Sequence, residues 1–191
     1  LARRSEAVRS RFWSKADASS TEKWEQSLEP YRRYLWEEVT GKLPPASEPL
    51  EARTRRSYDE PKWTGYEVHL PVWPDVFAYG ILLLPKDLKP GQRRPMVVCQ
   101  HGINGRPQII VDPKLENAYH SFAAKLADRG FIVYAPQNPY VGEPEFPFRQ
   151  FQRKANPIKA SIFSIILAQH ERTLDWLTTL PYVDAGRIGF Y

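Results

Sequence analysis

In this chain of 191 residues, the groups best suited to chemistry sit together at Gln100-His101-Gly102-Ile103-Asn104-Gly105. A short apolar run, Met96 to Cys99, precedes them and stops abruptly. A run of that length before a glycine-containing turn reads as a buried strand entering a loop. A helical pattern and a second apolar run, Phe131 to Ala135, come next. That alternation is the order of an open α/β sheet, where chemistry sits at the carboxyl ends of the strands. His101 is the titratable group at such an end. Gly102 lets the backbone turn sharply beside it, with no Cβ in the way. A His placed there and followed by Gly reads as a residue that holds the loop by hydrogen bonds, not as the catalytic base.

The other reactive residue types carry blander readings. Cys99 is the lone cysteine, so no intrachain disulfide is expected, and inside a buried strand it reads as a small core residue. His69, His120 and His170 fall on separate elements without ligand spacing, so no metal site is expected. Asp184 reads as a turn residue. Glu171, Arg172 and Asp175 share a helix and read as surface or helix-packing groups. No Gly-x-Gly-x-x-Gly follows an expected strand, which disfavours a dinucleotide site. No cofactor is expected.

The elements that must position the loop follow from periodicity. Residues 1–44 read as helical, with capping-box spacing at Ser19-Ser20-Thr21-Glu22. Trp24, Leu28, Tyr31 and Leu35 form one apolar stripe, expected to pack against a larger body. Pro30 should start a new helix or kink this one, and Gly41 should end it. Residues 45–62 look like a Pro- and charge-rich connection. Tyr66, Val68 and Leu70 alternate with Glu67 and His69, as in a half-buried strand, and Val76 to Leu84 forms a second strand. Their short connection suggests an antiparallel hairpin. A loop through Pro107 and Pro113 leads to a helix over about 116–129, with Tyr119, Phe122, Ala123 and Leu126 on one face. Residues 137–156 read as a long irregular stretch rich in Pro and aromatics, the kind of loop that walls a site. A helix follows to about Leu180, with Ile162, Ile165, Ile166, Leu174 and Leu177 inward, and a last strand begins near Arg187.

Composition narrows the function classes. Hydrophobic residues at 42% and charged residues at 26% are ordinary for a globular protein. Six Trp, ten Tyr and nine Phe argue against disorder. A net charge of +5 permits an anionic partner. The basic residues are interleaved with acids, however, and no aromatic-rich recognition motif accompanies them, so no nucleic-acid partner is expected. No apolar run approaches the ~18 residues that a membrane helix needs, so no membrane partner is expected either. The chain starts at Leu1, which leaves its compartment open.

Four stretches together resemble the first half of an α/β-hydrolase, and within that superfamily the acetyl xylan esterase and dienelactone-hydrolase-like group. They are Gly80 to Lys86, Pro95 to Gly102, Leu126 to Pro136 and Leu174 to Phe190, in the order and spacing of that group. The resemblance implies an N-terminal helical extension and linker over 1–62 and the N-terminal half of a hydrolase domain over 63–191. It implies a sheet that opens with an antiparallel hairpin and continues as parallel strands with crossover helices. The strand near Arg187 should pair with the one at Met96. It also implies a serine hydrolase that cleaves carboxylic esters, with acetylated carbohydrate as a substrate class, through an acyl-enzyme. The residue after His-Gly supplies one backbone oxyanion donor in that group, which maps onto Ile103. His101, Gly102 and Gly105 would shape the loop, and Asn104, Tyr140 and Phe148 become candidates for the substrate wall. The nucleophile elbow, Gly-x-Ser-x-Gly, does not occur in the sequence. The triad is therefore expected beyond residue 191, and the partner for these residues is the remainder of their own polypeptide. The competing reading is a non-catalytic module of the same fold, kept for binding or assembly.

Overall fold

The computed structural model describes residues 2–102, 105–115, 117–139 and 148–191. A six-stranded sheet forms its centre, with strands β1 (Arg53–Asp59), β2 (Trp63–Trp73), β3 (Val76–Pro85), β4 (Arg94–Val98), β5 (Ile132–Gln137) and β6 (Val183–Phe190). Their spatial order is β1-β2-β3-β5-β4-β6. β2 and β3 form the expected hairpin, closing at Trp73 and Val76, and β3 runs antiparallel to β5. β4 lies parallel to both β5 and β6, and Met96 pairs with Ile188. The crossovers are helical: α3 (Gln108–Val111) and α4 (Phe122–Asp128) after β4, then α5 (Phe148–Ala155) and α6 (Ile162–Thr179) after β5.

Alternation along the strands fills two cores. Ile81, Leu83, Cys99, Val133 and Ala135 pack with Ile110, Val111, Ala123 and Ala127 of α3 and α4. Val68, Leu82, Met96, Ile132 and Tyr134 pack on the other face with Trp176 and Leu177 of α6. Burying each large apolar side chain contributes roughly 1.5–3 kcal/mol, so these two layers hold the sheet from which the β4 loop leaves.

Several elements differ from the sequence expectation. The stretch read as a connection contains β1, which pairs with β2. The expected helix over 116–129 shrinks to α4, because Asn117 captures the chain in a turn: its Oδ1 accepts from Tyr119 N at 2.8 Å and its Nδ2 donates to Ile109 O at 2.8 Å. Such local bonds compete with the helical ladder. His120 and Ser121 then take left-handed backbone angles just before α4. The loop after Pro107 holds the short helix α3, and the stretch read as irregular holds α5, whose sequence from Phe148 to Ala155 contains neither Pro nor Gly. On α6, Leu174 faces solvent while Thr173 and Trp176 turn inward. Asp184 falls within β6, but where the ladder slips between Arg94 and Met96. There it still acts locally, accepting from Gly186 N at 3.1 Å and from Arg187 Nε at 2.6 Å.

The N-terminal extension is a pair of helices, α1 (Ala2–Phe12) and α2 (Thr21–Tyr34). Ser20, not Ser19, caps α2, accepting from Lys23 N. Pro30 neither restarts nor ends α2, which runs on into a π-helical turn over Leu35–Thr40. Part of the apolar stripe packs within the extension itself and part of it faces solvent. Tyr31 packs on Phe12 and Trp13, with ring centroids 5.1 and 4.7 Å apart, whereas Trp24 and Leu35 are exposed. The extension is tied to α6 through the Thr40 carbonyl, which accepts from the Ser161 and Ser164 hydroxyls at 2.7 and 2.6 Å.

Candidate active site

The loop that carries His101 begins where two strands end side by side. Cys99 N donates to Tyr134 O of β5 at 2.7 Å. Gln100 N donates to Tyr191 O at 2.7 Å, and Tyr191 N donates to Val98 O at 2.9 Å. The loop therefore leaves the carboxyl edge of the parallel strands, between β5 and the chain emerging from β6. That is the edge at which open α/β sheets place their ligands.

His101 is 2% exposed. Its Nδ1 lies 2.8 Å from Gly102 O, a bond that requires the proton on Nδ1. The same carbonyl accepts from Gly105 N at 3.1 Å. Gly105 lies so close that a Cβ there would sit 2.6 Å from His101 Nδ1 and 2.9 Å from Ile109 Cδ1. Gln137 Nε2 reaches across from β5 to Gly105 O at 3.3 Å. Among the described residues, His101 Nε2, Gln100 Oε1 and Gln108 Oε1 are enclosed without a hydrogen-bond partner.

Burial holds His101 below the ordinary histidine range, against a smaller opposite pull from the Gly102 and Pro136 carbonyls. Burial also holds His170 down, beside the Phe190 ring at 5.5 Å. Both rings are therefore neutral near neutral pH, and the unfolded chain takes up protons first as pH falls below 6.5. Stability present above that value should be lost as pH drops toward the lowered values, with a slope of at most about 1.4 kcal/mol per pH unit for each histidine. Denaturant midpoints across that window check this. A His101→Asn, His170→Asn variant should show a flatter acid limb, and an unchanged limb would contradict the assignment.

Burial pushes the Cys99 thiol up to about 12, so it is protonated and inert as a nucleophile. His69 stacks on Phe77 with centroids 4.1 Å apart. No cluster of three or more His, Cys, Asp or Glu able to hold a metal occurs among the described residues, nor does any of their helices have the length and apolarity to cross a membrane. Ile103, Asn104 and Tyr140 lie outside the described residues, and Phe148 starts α5 with its side chain outside them too. Two residues to which the sequence expectation gives no part in holding the loop do hold it. Tyr119 accepts from Gly102 N at 2.9 Å, and Gln100 Nε2 donates to His101 O at 2.9 Å. The Asx turn that Asn117 permits is the signal that could have separated Tyr119 from the helix face to which its spacing assigns it.

No protein-family model and no curated protein matches the sequence. Solved structures do match. A Bacteroides fragilis protein assigned as an acetyl xylan esterase superposes with a TM-score of 0.72 at 15% identity, covering 97% of this chain and 53% of its own. A glucuronoyl esterase from Solibacter usitatus gives 0.58 at 18% identity, over 90% of this chain and 53% of its own. The acetyl xylan esterase from Paenibacillus sp. R4 gives 0.53 at 21% identity, over 75% and 46%. The likeness is one of fold, which is α/β-hydrolase-like, and the chain spans about half the length of these structures.

Proposed function

We propose that the polypeptide carrying these residues is a serine hydrolase of carboxylic esters, with acetylated carbohydrate as its substrate class. The observation that supports this reading is the Gln100–Tyr191 backbone bond, which sets the His101–Gly105 loop against the chain leaving β6. A nucleophile elbow in that chain would face the loop directly. A serine Oγ there would attack the ester carbonyl, and the carbonyl oxygen would gain negative charge. The backbone N–H of Ile103 supplies one donor to that oxyanion. Collapse expels the alcohol and leaves an acyl-serine, which water then hydrolyses. The acid and the base, like the nucleophile, lie beyond residue 191. His101, Gly102 and Gly105 hold the loop in shape, and Asn104, Tyr140 and Phe148 form part of the substrate wall. The esterases that share the fold support this choice over other hydrolytic chemistries.

The residues encoded after Tyr191 test the proposal. A Gly-flanked Ser within a few positions is expected. Ala or Gly at the elbow would instead favour a non-catalytic binding module.

A further inference from the structure

We infer that Tyr119 and Gln100 are positioning residues for the oxyanion loop, a role that rests on the esterase reading above. The peptide joining His101 to Gly102 is held at both ends. Its carbonyl accepts from Gln100 Nε2 at 2.9 Å, and its N–H donates to the Tyr119 hydroxyl at 2.9 Å. The next carbonyl, that of Gly102, is held by His101 Nδ1 at 2.8 Å and by Gly105 N at 3.1 Å. Both carbonyls that precede residue 103, the proposed donor, are thereby held in place.

Tyr119 is built for this contact. A Cβ at position 102 would lie 2.6 Å from its hydroxyl, so a larger residue there would push the hydroxyl off its contact. The Asn117 side chain fixes the Tyr119 backbone, and its ring lies 6.4 Å from Phe122. Phe122 in turn meets the ring of Tyr191 edge-on at 5.1 Å, linking the clamp to the chain leaving β6. Gln100 contributes from the other side: its backbone N–H holds Tyr191 and its carboxamide N–H holds His101.

The hydroxyl alone is removed by Tyr119→Phe, which keeps the ring and its packing. In the full-length protein, this change should lower kcat on a short-chain aryl ester about tenfold, because a misplaced donor stabilises the oxyanion less well. KM and the thermal midpoint should stay close to wild type. Gln100→Met should act in the same direction, and the double variant should lose less than the product of the two, since both act on one peptide. An unchanged kcat in both single variants of an active enzyme would overturn the clamp. So would a loss confined to KM or to stability. Wild-type protein that turns over no ester would instead defeat the esterase reading itself, so the two failures are distinct.

Discussion

Replacing Ile103 by Pro should lower kcat of the full-length protein about 10²–10³-fold, with KM little changed. Proline has no backbone N–H, so the variant deletes the proposed donor and nothing else that touches the reacting carbonyl. Loss of one oxyanion donor costs a factor of that size, because the donor acts on charge that develops only in the transition state. The control is Ile103→Ala, which keeps the N–H and should keep most of the rate. Proline also restricts the residue before it, and Gly102 O accepts from Gly105 N. Thermal midpoints of both variants are therefore needed beside the rates. A proline variant that melts like wild type and turns over at the wild-type rate would remove Ile103 from the mechanism.

The largest expected effect on stability is at Gly80, in the middle of β3. It pairs with Pro136 of β5, and the ring of the fully buried Tyr134 lies over it. A Cβ there would sit 2.5 Å from the Tyr134 hydroxyl and 2.7 Å from the Ala135 carbonyl. The carbonyl belongs to a central strand, and the tyrosine is fully buried. Gly80→Ala should therefore destabilise the protein by about 2–3 kcal/mol, the upper part of the usual range for overpacking. Adding Tyr134→Leu should restore part of that loss, because the two sites share one clash. Denaturant midpoints of the two single variants and the double variant test this. Strictly additive losses would show that the ring over Gly80 is not the cause.

The same glycine shows how the sequence carries the fold. Its place inside a run of apolar residues is legible as a strand interior. The strands themselves are legible as well, as apolar runs at 76–84, 96–99 and 131–135 and the stretch from Arg187; the hairpin follows from its short connection, the pairing of the last strand with Met96 from the resemblance, and the place of 131–135 between 76–84 and 96–99 comes from the structure. Cys99 reads as a core residue, and it is one. β1 was hidden by its composition. Arg53, Arg55 and Arg56 give it no apolar alternation, and its partners are charges: Arg55 with Glu67 at 2.5 Å, and Asp59 with Lys86 at 2.7 Å. Charged side chains of this kind protect an edge strand from pairing further, and they also make it look like a loop. The short α4 was hidden because periodicity counts apolar positions and ignores the competing bonds of Asn117.

The candidate site divides along a similar line. His101 and Gly102 stand out from residue type alone, at the end of an apolar run. Tyr119 does not, because its ring fits an apolar helix face while its hydroxyl serves a loop 17 residues earlier. A residue with one apolar side and one polar tip satisfies two roles, and a pattern of hydrophobicity registers only the first.

Cleavage of esters through an acyl-serine leaves a covalent trace on the enzyme. Full-length protein mixed with an aryl acetate and quenched in acid, then weighed intact, tests it most directly. One added acetyl group, carried by a serine in the chain following Tyr191 and lost on further incubation, is the predicted result. Protein that neither releases the aryl alcohol nor gains mass would rule out the acyl-serine route.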